Sequence, residues 1–171
     1  VFAVQSDFLR QTELELEQQV QEAKERLKVG NPELREIARY LIDGQRAKAG
    51  ALLSKYVNQN KRMELVEYFS KQPGAVQYEL AQVYRKGLGV EANPKTAFTW
   101  YKEAANRNHA KSQTMLGFLY RNGIGTGADD KLAVNWYRRA SEQGEPTALF
   151  NLGSLYRKGY GVPKNETKAL E

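Results

Sequence analysis

The sequence predicts an all-α protein assembled from stacked antiparallel helix pairs. Three observations lead there: a strict internal repeat, apolar residues at helical spacing within it, and glycine or proline punctuation between the apolar runs. LAQVYRKGLGV from Leu80, LGFLYRNGIGT from Leu116 and LGSLYRKGYGV from Leu152 align without a gap, a period of 36 residues at both steps. Downstream, Asn93 aligns with Asp129 and Asn165, Ala97 with Ala133 and Ala169, Trp100-Tyr101 with Trp136-Tyr137, and Ala104 with Ala140.

Within a repeat the first helix is expected over residues 76–86. Val76, Leu80, Val83 and Tyr84 fall within about 60° of one another on a helical wheel. It stops at Gly87 and Gly89, residues that accept the positive φ of a helix C-cap or tight turn. The second helix opens at Asn93-Pro94, an N-cap followed by proline at the first helical position, and Asp129 and Asn165 offer the same capping oxygen later. Ala97, Trp100, Tyr101 and Ala104 share one face, where alanines let helices approach and the large rings fill the space beside them. Both Trp-Tyr pairs are therefore assigned to the core.

These three segments, with the alanine and Trp-Tyr that follow them, resemble the Sel-one-like repeat family, a relative of the tetratricopeptide repeats. The resemblance covers residues 75–171, as repeats 75–109, 110–145 and an incomplete 146–171. It implies a right-handed α-solenoid that serves as a scaffold or adaptor for other proteins, in some bacterial members within envelope, secretion or polysaccharide-export systems. The best-known extracellular members carry a cysteine pair in each repeat; this chain has no cysteine, so that subgroup is not implied.

Residues 30–74 read as degenerate capping repeats. Asn31-Pro32 repeats the cap-plus-proline opening, Ile37, Ala38 and Leu41 give an apolar face, and Gly44 follows Tyr40 in a worn form of the motif. Further helices are expected over 47–57 and 63–70, ending before Pro73-Gly74. Residues 1–29 read as an amphipathic N-terminal helix: Leu9, Leu16 and Ala23 are seven apart, as are Glu13, Val20 and Leu27. Three heptads suit either a short coiled coil or a helix packed on the solenoid, and we expect the second. The chain begins at Val1 and the last repeat breaks off inside its second helix, so a longer parent protein is expected, with Leu170-Glu171 either native or a cloning remnant.

Composition narrows the chemistry. The chain has 171 residues, 41% apolar and 27% charged, which suits one folded domain and excludes both a disordered tail and a membrane-spanning bundle. Without cysteine there are no disulfides or thiolates, and a single histidine, His109, removes most histidine-based catalysis and zinc chemistry. His109 is expected in a turn, as a surface or capping residue. The Gly-x-Gly pairs at Gly87, Gly123 and Gly159 follow helices rather than strands and fail the context of a nucleotide loop. Asp129-Asp130 and the Glu13-Glu15-Glu17 run suit capping and a solvated helix face. No catalytic residues, metal ligands or cofactor are assigned, and no enzyme activity is expected.

The formal net charge is +6 and uneven: residues 1–29 carry a net −2, residues 30–74 a net +3 and residues 75–171 a net +5. On each first helix, the side opposite Leu80 carries Tyr78, Gln82 and Arg85, matched by Thr114, Phe118 and Arg121 and then by Phe150, Ser154 and Arg157. Stacked, these form a ladder of three guanidinium groups beside aromatic rings on the concave face, suited to an acidic or carboxylate-terminated peptide. The competing reading has each arginine merely covering a neighbouring ring. Phe118 and Phe150 occupy variable positions of a strict repeat and are assigned to the surface. Function is thus expected to be the binding of a protein segment in the groove, with a slight preference for the cell envelope. The alternative is an anionic polymer, nucleic acid or acidic polysaccharide, on the arginine ladder. A homo-oligomer through the N-terminal helix or the C-terminal edge is a third expectation.

Overall fold

A computed structural model of the chain describes residues 10–18, 20–21 and 31–170. Residues 10–18 and 20–21 are helical. Leu16, Glu13 and Val20 of the heptad pattern are exposed there, while Leu9, Ala23 and Leu27 lie outside the described residues. From residue 31 onward the described chain is entirely helices and turns: α1 (Pro32–Ile42), α2 (Arg46–Val57), α3 (Arg62–Ser70), α4 (Gly74–Lys86), α5 (Pro94–Asn106), α6 (Ala110–Asn122), α7 (Asp130–Glu142), α8 (Pro146–Lys158) and α9 (Glu166–Leu170).

From α4 onward each helix packs on the next, and α4 also touches α6, so the first helices of these two pairs lie side by side. Pairs α4/α5, α6/α7 and α8/α9 are the repeat units of an α-solenoid. The expected caps are made: Asn93 Oδ1 accepts from the Thr96 amide, Asp129 Oδ1 from Leu132 and Asn165 Oδ1 from Lys168, each at 3.0 Å. Each satisfies an amide that the first helical turn leaves without a partner. The first helices end on Gly87, Gly123 and Gly159 in the left-handed conformation.

The second glycine of each Gly-x-Gly loop has a packing role. A Cβ on Gly125 would lie 2.3 Å from the Pro94 carbonyl oxygen, and one on Gly161 would lie 2.4 Å from that of Asp130. The loop inside one repeat is thus seated on the first turn of the preceding repeat's second helix. Gly89 makes the same approach to α2, between Ala47 and Ala51. Upstream, α1 and α2 pair with each other and both rest on α4. Arg46 of α2 donates to both carboxylate oxygens of Glu79 in α4, at 2.5 and 3.1 Å.

The core runs through the stack. Leu34, Ile37, Leu53, Leu65, Phe69, Leu80, Trp100 and Tyr101 form one cluster, Leu116, Tyr137 and Leu155 belong to a second, and Phe98 packs against both. Trp136 packs against the second cluster but, unlike the buried Trp100, is only half-buried, so its assignment to the core holds in part. Trp100 packs edge-on against Phe69 with ring centroids 6.2 Å apart. One period later the position of Phe69 is Ala105, too small to cover Trp136. The Arg139 guanidinium lies over the open side of the indole, 4.6 Å from its centroid.

Candidate functional site: the face of the first helices

The nine residues selected from the sequence sit on α4, α6 and α8 at helical spacings of four and three, so each triplet does share a helix face. Their environments differ from one repeat to the next. On α4 the three are knitted into the structure. Gln82 Nε2 donates to the Tyr78 hydroxyl at 2.6 Å, and Arg85 donates to Gln82 Oε1 at 3.0 and 3.3 Å and to the Tyr101 hydroxyl at 3.2 Å. The Tyr78 ring packs on Tyr101 and on His109, with centroids 5.7 and 5.2 Å away.

Gln82 is consequently only 6% exposed and Thr114 only 8%. The sequence reading set both on an open groove, and the structure corrects it. Gln82 is drawn under Tyr78 and Arg85 by three hydrogen bonds, and Thr114 turns its hydroxyl back onto the Ala110 carbonyl at 3.1 Å. Short polar side chains on a tightly stacked helix find partners in their own turn.

The open part of the face belongs to α6 and α8. Phe118 is 41% exposed and Phe150 76%. The Arg121 guanidinium lies 5.4 Å from the centroid of Tyr160, in the loop after α8, and Arg157 is exposed. Ser154 is half-buried between them in the sequence of the face. Together α6 and α8 carry Lys111, Arg121, Arg157 and Lys158 and no acidic side chain.

Burial pushes the Tyr101 phenol up to about 12, with the Arg85 guanidinium acting against it. Burial likewise pushes Tyr137, one period later, up to about 12, with Arg121 opposing. The arginines of the first two steps therefore stand beside equivalent buried phenols. His109 caps α6: its Nδ1 accepts from the Ser112 amide at 3.3 Å. Burial and Lys111 hold its pKa below the ordinary 6.5. Among the described residues no group of His, Asp or Glu is placed to hold a metal ion, and no helix is long and apolar enough to cross a membrane.

Sequence reasoning passed over one periodic pair. Gln77 and Gln113 are buried at equivalent positions of α4 and α6, and their Nε2 groups donate to the carbonyls of Phe69 at 2.9 Å and Ala105 at 3.2 Å. Gln113 extends the network to Asn108, and Gln143 joins both, donating at 3.2 Å to Asn108 and 2.8 Å to Gln113. The signal was present one residue before Tyr78 and Thr114: the same amide at the same register, on a helix side otherwise apolar.

The stacked pairs define a helical-repeat protein. The Sel1 repeat family matches residues 74–109, 110–145 and 146–171, over half the chain, and the protein belongs to that family. Two similar solved structures agree. One is a Sel1 repeat protein from Oxalobacter formigenes, 31% identical with a TM-score of 0.58, a match covering 75% of this chain and 57% of that one. The other is c5321, described as a protective antigen present in uropathogenic Escherichia coli strains and displaying an SLR fold. It is 28% identical with a TM-score of 0.56, over 81% of this chain and 32% of that one. The chain thus spans under two thirds of the length of either. No curated protein is significantly similar to it.

Proposed function

We propose that the chain is a non-enzymatic scaffold that holds a segment of a partner protein along the face of α6 and α8. The observation that carries this reading is the exposure of Phe118 and Phe150 beside Arg121 and Arg157, on two helices without a carboxylate. Aromatic rings supply apolar contact area and guanidinium groups supply directional bonds to carboxylates, the combination that dominates interface energetics. The matching partner is an extended or helical peptide carrying Asp or Glu beside an apolar side chain. The family resemblance favours an envelope assembly over a cytoplasmic one as the setting for this partner.

Photo-crosslinking from position 118 in the cell of origin, read by mass spectrometry, tests the proposal. The expected result is one dominant protein adduct that Arg121→Glu abolishes and that survives moderate salt. Adducts only from outside the α6–α8 face would overturn it. A steep loss of binding with added salt, with nucleic acid or polysaccharide recovered instead, would transfer the face to an anionic polymer.

A further inference from the structure

We propose that the α6–α8 face also receives the acidic helix around residues 10–21 from a second copy of the chain, so that two chains exchange helices in a closed dimer. The inference rests on the reading of that face as a binding surface and adds an occupant. The helix at 10–18 and 20–21 exposes Leu14, Leu16 and Val20. Leu16 and Val20 are four residues apart, and so are Glu13 and Glu17, so carboxylates and apolar groups alternate along one side. Residues 10–21 hold three glutamates against Arg10 as the one basic side chain. An apolar strip flanked by carboxylates is the counterpart of Phe118 and Phe150 flanked by Arg121 and Arg157.

Apolar side chains at this density on a solvated helix gain from being covered, since each fully buried leucine or valine is worth ~1.5–3 kcal/mol. Within one chain the two surfaces do not cover each other: Leu16 and Val20 are exposed, and so are Phe118 and Phe150, which leaves each free for a second copy. Two chains lending helices reciprocally bury both faces with two-fold symmetry, the common form of a soluble dimer.

Sedimentation velocity of the full chain over a dilution series tests this. The expected result is twice the monomer mass, reduced to the monomer by Glu13→Lys with Glu17→Lys, or by Arg121→Glu with Arg157→Glu, and restored when all four changes are combined. These positions lie at or near the surface, and circular dichroism verifies that the helices persist. Phe150→Ala serves as a second variant that leaves charge untouched, and it should also weaken the dimer. A monomer at every concentration, or a dimer indifferent to both charge reversals, would overturn the inference. A monomer that still gives a foreign adduct from position 118 removes the exchanged helix and leaves the partner face standing. A charge-rescued dimer with no foreign adduct does the reverse.

Discussion

Gln113 holds the carbonyl of Ala105 at 3.2 Å, the same bond that Gln77 makes to Phe69 one repeat earlier. Each amide crosses from a first helix to the final turn of the helix before it, where the carbonyl otherwise accepts only the amide three residues on, that of Gln72 or Asn108. Gln113→Leu keeps the volume and deletes the side-chain bond, leaving that carbonyl only the Asn108 amide at 3.0 Å and loosening Asn108 and Gln143. The expected loss is about 0.5–1.5 kcal/mol of unfolding free energy in urea titration. Leu149 stands at the third equivalent position and is already exposed, so Leu149→Ala should change stability by less than about 0.5 kcal/mol.

Gly117 faces the buried ring of Tyr137, and a Cβ there would lie 2.8 Å from two ring carbons. Gly117→Val should destabilise by about 2–3 kcal/mol, because the ring sits in a packed core and cannot retreat without opening space elsewhere. Gly117→Ala should lose less, since the better helix propensity of alanine offsets about 1 kcal/mol of the strain. Thermal unfolding of both variants checks the order.

The arginines of the face should separate by experiment. Arg85 bonds the Tyr101 hydroxyl and Gln82, so Arg85→Met is expected to cost about 1–2 kcal/mol of stability. Arg157 is exposed, and Arg157→Met should leave stability within about 0.5 kcal/mol while weakening partner capture. Equal stability losses in the two variants would return the whole ladder to a structural role.

His109 should make stability depend on pH. Its Nδ1 accepts the Ser112 amide only when that nitrogen is unprotonated, and burial lowers its pKa in the folded state. Lys111 adds to the lowering; Glu79 and Glu145 act against it, and the Tyr78 ring packs on the imidazole. As pH falls below 6.5, the unfolded chain takes up the proton before the folded one does, so stability falls. The stabilisation is complete above that value and disappears as pH drops through the lower folded pKa. His109→Asn retains a capping oxygen without a titrating group and should flatten the slope of melting temperature between about pH 7 and 5.5.

How far the sequence discloses this structure can be read from particular residues. The caps at Asn93, Asp129 and Asn165 were legible because an N-cap is a local bond between a side chain and an amide three residues on. The helix ends at Gly87, Gly123 and Gly159 were legible for the same reason. The burial of Trp136 was not, because it depends on Ala105, a residue of another repeat that lacks the ring its counterpart Phe69 supplies. Gln82 and Thr114 were set on an open surface because wheel position measures direction from the helix axis and not the reach of a neighbour's side chain. Phe118 and Phe150 were legible as surface from their variability within a strict repeat. Where two chains or two partners meet is written in no single helix.

The seating of Gly125 on Pro94 and of Gly161 on Asp130 changes what counts as a unit of this protein. The 36-residue period divides the chain at residues 109 and 145, between helix pairs, yet each clasp reaches across one of those divisions. A cut there would leave the preceding pair without the bracket that closes its outer corner. The smallest self-supporting piece is therefore a helix pair together with the first helix and loop of its successor. Swapping repeats between proteins of this kind would succeed only with fragments cut out of phase with the visible motif.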